Sequence, residues 1–297
     1  MHYNTALNHS FKWSKALDKE VYYKMDCQQP SGSFKIRGIG LLCQEKAAEG
    51  ITHFVIASGG NAGLAVAYSG FKLGIPVTVV VPESTKEAMR KRLRLFGATL
   101  LVHGESWQEA HEHTVQLAEQ PNTYYVHPFD HPTLWRGHAT LIEEVAQAMP
   151  EPDLVIVAVG GGGLFCGIME GLEKVGWNNT KVLCAETEGA ASLYQSLQAG
   201  KIISLDHIEN IATSLGAKRI CEQAWTYAQS PRVAAALVND VQVVAACRAF
   251  ADEYHALVEP ACGAALAMLG KAHPFLAAAK RVLVVVCGGS GFGLDDF

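Results

Sequence analysis

Short apolar runs alternate with helix-length amphipathic segments along most of the 297 residues. Strand-like runs fall at Val21–Met25, His53–Ala57, Val77–Val81, Thr99–Val102, Asp153–Val159, Lys181–Ala185 and Arg281–Cys287. They are short, β-branched and nearly continuous in apolar character, as parallel strands covered on both faces are. Helical segments lie between them at Ile36–Ala48, Asn61–Leu73, Lys86–Phe96, Ser106–Gln120, Thr133–Ala148, Leu164–Lys174 and Asp240–His255. This alternation predicts an α/β fold of mostly parallel, open twisted sheets flanked by helices. The stretch from Pro121 to Pro132, rich in proline, histidine and aromatics, interrupts the pattern. It predicts a domain crossing, with another just after Lys35. Residues 36–129 then form a smaller domain, and 1–35 with 130–297 a larger one.

Composition narrows the class. With 49% hydrophobic and 18% charged residues, the chain can bury two cores or one large one. A net charge of −5 with scattered signs offers no basic patch, which argues against nucleic acid or an acidic membrane as partner. The eight cysteines contain no Cys-x-x-Cys pair and mostly sit in apolar surroundings, which reads as reduced thiols in a cytoplasmic protein. Apolar runs such as Val77–Val81 fall far short of the roughly 20 residues a membrane helix needs. The first residues lack the charged start and apolar core of a signal peptide.

Chemistry concentrates where strands end. Ser31-Gly32-Ser33-Phe34-Lys35 follows the first strand-like run and opens a helix, presenting Lys35 where open α/β sheets place their ligands. A lysine in such a crevice can lose its proton and attack a carbonyl; a lone lysine that merely starts a solvated helix is the competing reading. Ser58-Gly59-Gly60-Asn61-Ala62-Gly63 and Gly160-Gly161-Gly162-Gly163 each join a strand to a helix, where free backbone N–H groups bind anions. Ordinary structural turns compete with both readings. A further turn, Cys287-Gly288-Gly289-Ser290-Gly291, ends the last strand. Dinucleotide spacing fails, because counting from Gly160 or Gly161 reaches Phe165 or Cys166 in place of the last glycine, and no triphosphate loop occurs. His111-Glu112-His113-Thr114-Val115 lacks the second histidine of a zinc-protease helix, and Pro128 separates His127 from His131, so these histidines read as structural or surface residues. Two anion cradles and an amine nucleophile suit pyridoxal phosphate with an amino acid.

These turns, together with Val258-Glu259-Pro260-Ala261-Cys262-Gly263, occur in the order and spacing of a known family. The chain resembles, over essentially its whole length, the pyridoxal-phosphate-dependent serine/threonine dehydratases of the tryptophan-synthase-β-like fold (fold type II). The likeness is greatest to short L-serine dehydratases and serine dehydratase-like proteins. The resemblance implies that Lys35 holds the cofactor as an imine and acts as the base at the α-carbon. Phe34 and Ser214 would flank the ring, Asn61 would bond its 3-hydroxyl, and Cys287 would face its nitrogen. Gly160, Gly161, Gly162, Gly163 and Leu164 would hold the phosphate; Ser58, Gly59, Gly60, Asn61 and Ala62 would take the substrate carboxylate. Glu186 with backbone carbonyls of Gly160, Ala190, Leu215 and Ala217 would bind a monovalent cation, potassium. Water is then eliminated from L-serine or L-threonine, leaving pyruvate or 2-oxobutyrate and ammonia. A homodimer is implied by the same likeness.

Racemases of this fold carry a serine where Gly59 stands, and glycine has no proton to give, which favours elimination. A catalytically silent binding protein on the same scaffold is the reading from a different class; it predicts a colourless protein that takes up no cofactor. Thr5-Ala6-Leu7 replaces a usual Thr-Pro-Leu, and Gly291 an asparagine common in relatives.

Overall fold

The computed structural model describes residues 1–289 and 293; Ser290 and Gly291 of the last turn lie outside the described residues. Ten strands occur among them: β1 (Leu7–His9), β2 (Glu20–Lys24), β3 (His53–Ala57), β4 (Val77–Val81), β5 (Thr99–Val102), β6 (Thr123–Tyr125), β7 (Leu154–Ala158), β8 (Lys181–Thr187), β9 (Val233–Val238) and β10 (Arg281–Val285). They form two sheets, one ordered β1-β2-β10-β7-β8-β9 and one ordered β5-β4-β3-β6. Every pairing is parallel except β1 with β2. Crossovers between parallel strands require intervening helices, which is why both faces are covered and β4 and β7 are buried along their full length. All four strands of the smaller sheet come from residues 53–125, and two clusters of buried apolar side chains accompany the two sheets.

Three strands depart from the sequence expectation. β1 and β6 are three-residue strands at sheet ends, too short for a period-2 signal, and β9 has three consecutive alanines, poor strand formers, between its terminal valines. Short helices at Phe11–Leu17, Ser192–Ala199, Glu222–Ala228, Pro260–Ala267 and Pro274–Ala278 are likewise additional.

The helix Lys35–Ala48 is anchored by buried charge. Arg37 donates from Nε and Nη2 to the two Asp26 oxygens (2.6 and 2.8 Å) and from Nη1 to Glu144 (2.7 Å). Lys24 donates to the same Glu144 and to the Thr5 carbonyl, both at 2.6 Å. Arg37, Asp26 and Lys24 are at most 1% exposed, so each charge depends on these partners. The start of the lysine helix is thereby fixed against β2 and the helix Pro132–Ala148. Among the described residues no helix is long and apolar enough to cross a membrane, and all eight cysteines are free thiols.

Candidate active site

Lys35 begins its helix because the preceding turn is stitched to the exit of β10. Phe34 N–H donates to the Cys287 carbonyl (2.8 Å), Gly289 N–H donates to the Gly32 carbonyl (3.0 Å), and Ser33 bridges Gly288. Gly32 turns the chain with φ 81°, a left-handed value glycine adopts without strain. Lys35 Nζ donates to the Pro128 carbonyl at 2.6 Å and stands 5.2 Å from the centre of the Phe34 ring. Burial lowers the Lys35 ammonium to a pKa of about 8, against the opposing pull of Cys287 and Glu259. An amine so tuned is partly neutral near physiological pH. Phe34 is buried and meets the fully buried His138 edge-on at 4.9 Å.

The glycine loop follows β7 and caps the helix Gly163–Lys174, with Gly162 at φ 96°. A Cβ on Gly161 would stand 2.4 Å from the Phe129 ring, and one on Gly163 2.6 Å from the Phe129 carbonyl. One on Gly160 would stand 3.1 Å from the Leu215 backbone. Side chains are therefore excluded, and the loop presents backbone at a helix N-terminus, where N–H groups lack helical partners. Leu164 is buried behind it.

The second turn follows β3. Gly60 caps the helix Asn61–Leu73, the Ser58 hydroxyl accepts from Gly60 N–H (3.4 Å), and Ala62 is buried on the first helical turn. Gly60 itself has open space around it, so packing does not require its glycine. At Gly59 a Cβ would meet Thr85, 2.8 Å from the methyl and 3.1 Å from the hydroxyl. Thr85, from the loop after β4, thus occupies the space that a side chain at residue 59 would need.

Glu259 connects these pieces, and the sequence gives no sign of it beyond the stretch in which it sits. Its Oε1 accepts from Asn61 Nδ2 (2.7 Å) and from the Ser214 hydroxyl (2.9 Å). The carboxylate is 5% exposed and lies near enough to Lys35 to favour its ammonium form. Asn61 and Ser214, 153 residues apart in the chain (61 and 214), meet through this one oxygen. Cys287 Sγ lies 3.3 Å from Cys262 Sγ, and Cys262 donates to the Gly288 carbonyl (2.8 Å).

Glu186 ends β8 beside the glycine loop and is fully buried, its two oxygens accepting from Leu193 N–H (2.9 Å) and Tyr194 N–H (2.7 Å). Burial raises its carboxyl to a pKa of about 7. Ser192, on the same bend, turns its hydroxyl to Glu186, and Thr187 Oγ1 is buried without a hydrogen-bond partner. Ala190 closes that bend by donating to the Thr187 carbonyl, and Ala217 donates to the Leu215 carbonyl (2.8 Å) beside Gly160. Among the described residues no group of three or more His, Cys, Asp or Glu side chains could hold a metal ion. His127 and His131 accept backbone N–H groups, the structural use expected of them.

A sequence profile for pyridoxal-phosphate dependent enzymes matches residues 1–288. The human L-serine dehydratase/L-threonine deaminase is 42% identical over 307 aligned positions, spanning 99% of this chain and 93% of that protein. The solved L-serine ammonia-lyase of the fungus Rhizomucor miehei superimposes with a TM-score of 0.94 at 34% identity, over 99% of this chain and 96% of the other. Maize serine racemase also superimposes, with a TM-score of 0.91 at 25% identity, over 99% and 90% of the two chains.

Proposed function

Because the chain belongs to the pyridoxal-phosphate dependent enzyme family, we propose that it is a dehydratase of L-serine and L-threonine, releasing ammonia with pyruvate or 2-oxobutyrate. The observation that carries this reading is the Lys35 amine: held at a strand end, with a pKa lowered to about 8, beside a loop that admits only glycine. The names of the relatives at 34–42% identity support the substrate class.

The residues present fit the cofactor, since packing against Phe129, Leu215 and Ala224 keeps side chains off Gly160–Gly163 and leaves bare backbone at a helix N-terminus, which suits a phosphate. Pyridoxal phosphate, when bound, supplies an aldehyde for the amine and a ring that withdraws electrons from the substrate α-carbon. Phe34 would pack against that ring, Asn61 and Ser214 would contact it from positions set by Glu259, and Cys287 would face its nitrogen. A thiol there would leave the nitrogen unprotonated, where a carboxylate would hold the proton. The Ser58–Ala62 turn binds the substrate carboxylate through backbone N–H groups. Lys35 Nζ, neutral in the fraction that has lost its proton, takes the α-proton and keeps it on one face.

A monovalent cation, potassium in our reading, fits at Glu186. A buried carboxylate with a raised pKa and a neighbouring unpartnered hydroxyl, Thr187, suits a weakly hydrated cation. Carbonyls of Gly160, Ala190, Leu215 and Ala217 complete the oxygen set. We further propose a cytoplasmic homodimer, and residues 36–129 as a smaller domain against 1–35 with 130–297.

The test is a coupled assay for pyruvate and 2-oxobutyrate on L-serine, L-threonine and D-serine, with the purified protein and Lys35→Ala. A yellow protein active on the L-amino acids, losing colour and activity with Lys35, is expected. A colourless protein that cannot be reconstituted overturns the reading. Racemisation is the second reading, favoured by the Thr85 hydroxyl over Gly59. If it operates, D-serine accumulates from L-serine and is lost in Thr85→Val.

A further inference from the structure

Five rings stand in a row between the Ser58–Ala62 turn and the glycine loop. Trp107 Nε1 donates to the Ala57 carbonyl (2.8 Å), and its ring stacks on His111 at 4.9 Å. His111 Nδ1 pairs with the Tyr125 hydroxyl at 3.0 Å. Tyr125 meets His127 edge-on at 6.1 Å, and His127 meets Phe129 edge-on at 4.7 Å. Phe129 in turn presses on Gly161 and Gly163.

Within this row Trp107 donates to backbone, whereas His127 accepts from it. Its Nδ1 accepts from Asp130 N–H (2.8 Å) and from Phe129 N–H (3.3 Å). A ring nitrogen that accepts is unprotonated, so the imidazole is neutral and carries its proton on Nε2. Phe129 N–H belongs to the same peptide unit as the Pro128 carbonyl. In a planar trans peptide the N–H and C=O point in opposite directions. Turning the N–H toward His127 therefore turns the carbonyl away from it, and that carbonyl is the one holding Lys35 Nζ at 2.6 Å.

We propose that His127 is a positioning residue for Lys35, acting through the single peptide plane between Pro128 and Phe129. The ammonium form of Lys35 has a fixed carbonyl acceptor only while His127 holds that plane. The groups facing His127 are Lys35 from its helix, His111 from the helix Trp107–Leu117, Tyr125 from β6, and Asp130 and His131 from its own loop. Burial first, then Lys35, His111 and His131, lower its pKa to about 4, so it remains an acceptor throughout the neutral range. The inference rests on Lys35 being the cofactor-bearing amine.

The test follows cofactor capture by the full chain, stripped of pyridoxal phosphate and resupplied with it across pH. Visible absorbance and borohydride trapping at the Lys35 peptide report the capture. In His127→Leu the ammonium loses its fixed acceptor, so the capture midpoint moves to lower pH and the neutral amine at pH 7 rises about six- to tenfold, the effect of one charge-assisted hydrogen bond. In His127→Asn the side-chain oxygen accepts the same N–H groups in an Asx turn, and the wild-type midpoint returns. A folded His127→Leu protein with the wild-type midpoint overturns the proposal. Should His127→Leu fail to fold, His127→Asn decides: a wild-type midpoint supports the proposal and a displaced one overturns it. A Lys35→Ala protein that still captures cofactor defeats the functional reading instead, and so separates the two failures.

Discussion

Removing Glu259 separates its charge from its geometry. Glu259→Ala deletes the acceptor shared by the buried Asn61 amide and the exposed Ser214 hydroxyl. Hydrogen bonds to a charged group contribute about 1.5–3 kcal/mol when buried and less when wet, and loss of the buried carboxylate relieves part of its own desolvation. The net expectation is a loss of about 2–3 kcal/mol of stability, read by urea denaturation at unchanged slope. Because Glu259 favours the Lys35 ammonium, its removal lowers the Lys35 pKa below the native value of about 8. Glu259→Gln keeps an oxygen at the same place without the charge. It should retain most of the stability while lowering the Lys35 midpoint as far as alanine does. The assay for that midpoint is the pH dependence of cofactor capture. Equal destabilisation by glutamine and alanine, or an unmoved midpoint in both, would refute this account of Glu259.

Three other outcomes follow from the same geometry. Folding lowers the Lys35 pKa from 10.5 to about 8, so the folded state binds fewer protons between those values. Its cost is full below about pH 8 and fades as pH rises toward 10.5, so Lys35→Met should stabilise the cofactor-free protein at pH 7 by up to about 3 kcal/mol in thermal or urea melts while abolishing activity. Glu186 has the opposite sign: with its carboxyl raised to about 7, stability falls as pH rises from 4.5 to 7. Potassium should restore it where tetramethylammonium does not, and Glu186→Gln should remove that response. Gly163→Ala forces a methyl to 2.6 Å from the Phe129 carbonyl. It should cost about 1–3 kcal/mol and weaken cofactor binding roughly tenfold or more, measured by equilibrium dialysis.

Much of this architecture is legible in the sequence because parallel strands buried on both faces leave unbroken apolar runs. His53–Ala57, Val77–Val81, Thr99–Val102 and the helix Asn61–Leu73 fall at their expected bounds. Edge strands β1 and β6 escape because three residues carry no period, and the helix Pro260–Ala267 because a buried helix of alanine and glycine has no polar face. The site divides in the same way. Lys35 and the two glycine turns announce themselves by local composition, since a turn against a helix N-terminus must be built from neighbouring residues. Glu259, Thr85 and the acceptor role of His127 depend on what lies opposite them after folding. No local pattern records that Glu259 meets Asn61 across 198 positions or that Thr85 leans over Gly59.

The stitch between the Lys35 turn and the exit of β10 sets an order of assembly. β10 lies far downstream of the Lys35 turn in the chain, yet it occupies the interior of the six-stranded sheet, with β2 on one side and β7 on the other. Until it emerges during synthesis, β2 has no parallel partner, and Phe34 and Gly32 lack the backbone groups that hold the turn. Residues 36–125, by contrast, already contain every strand of the smaller sheet. The nucleophile is therefore made well before the strand that places it. A nascent chain cannot present a finished lysine site to a reactive aldehyde before β10 has emerged, so cofactor loading reports that this distant strand has arrived.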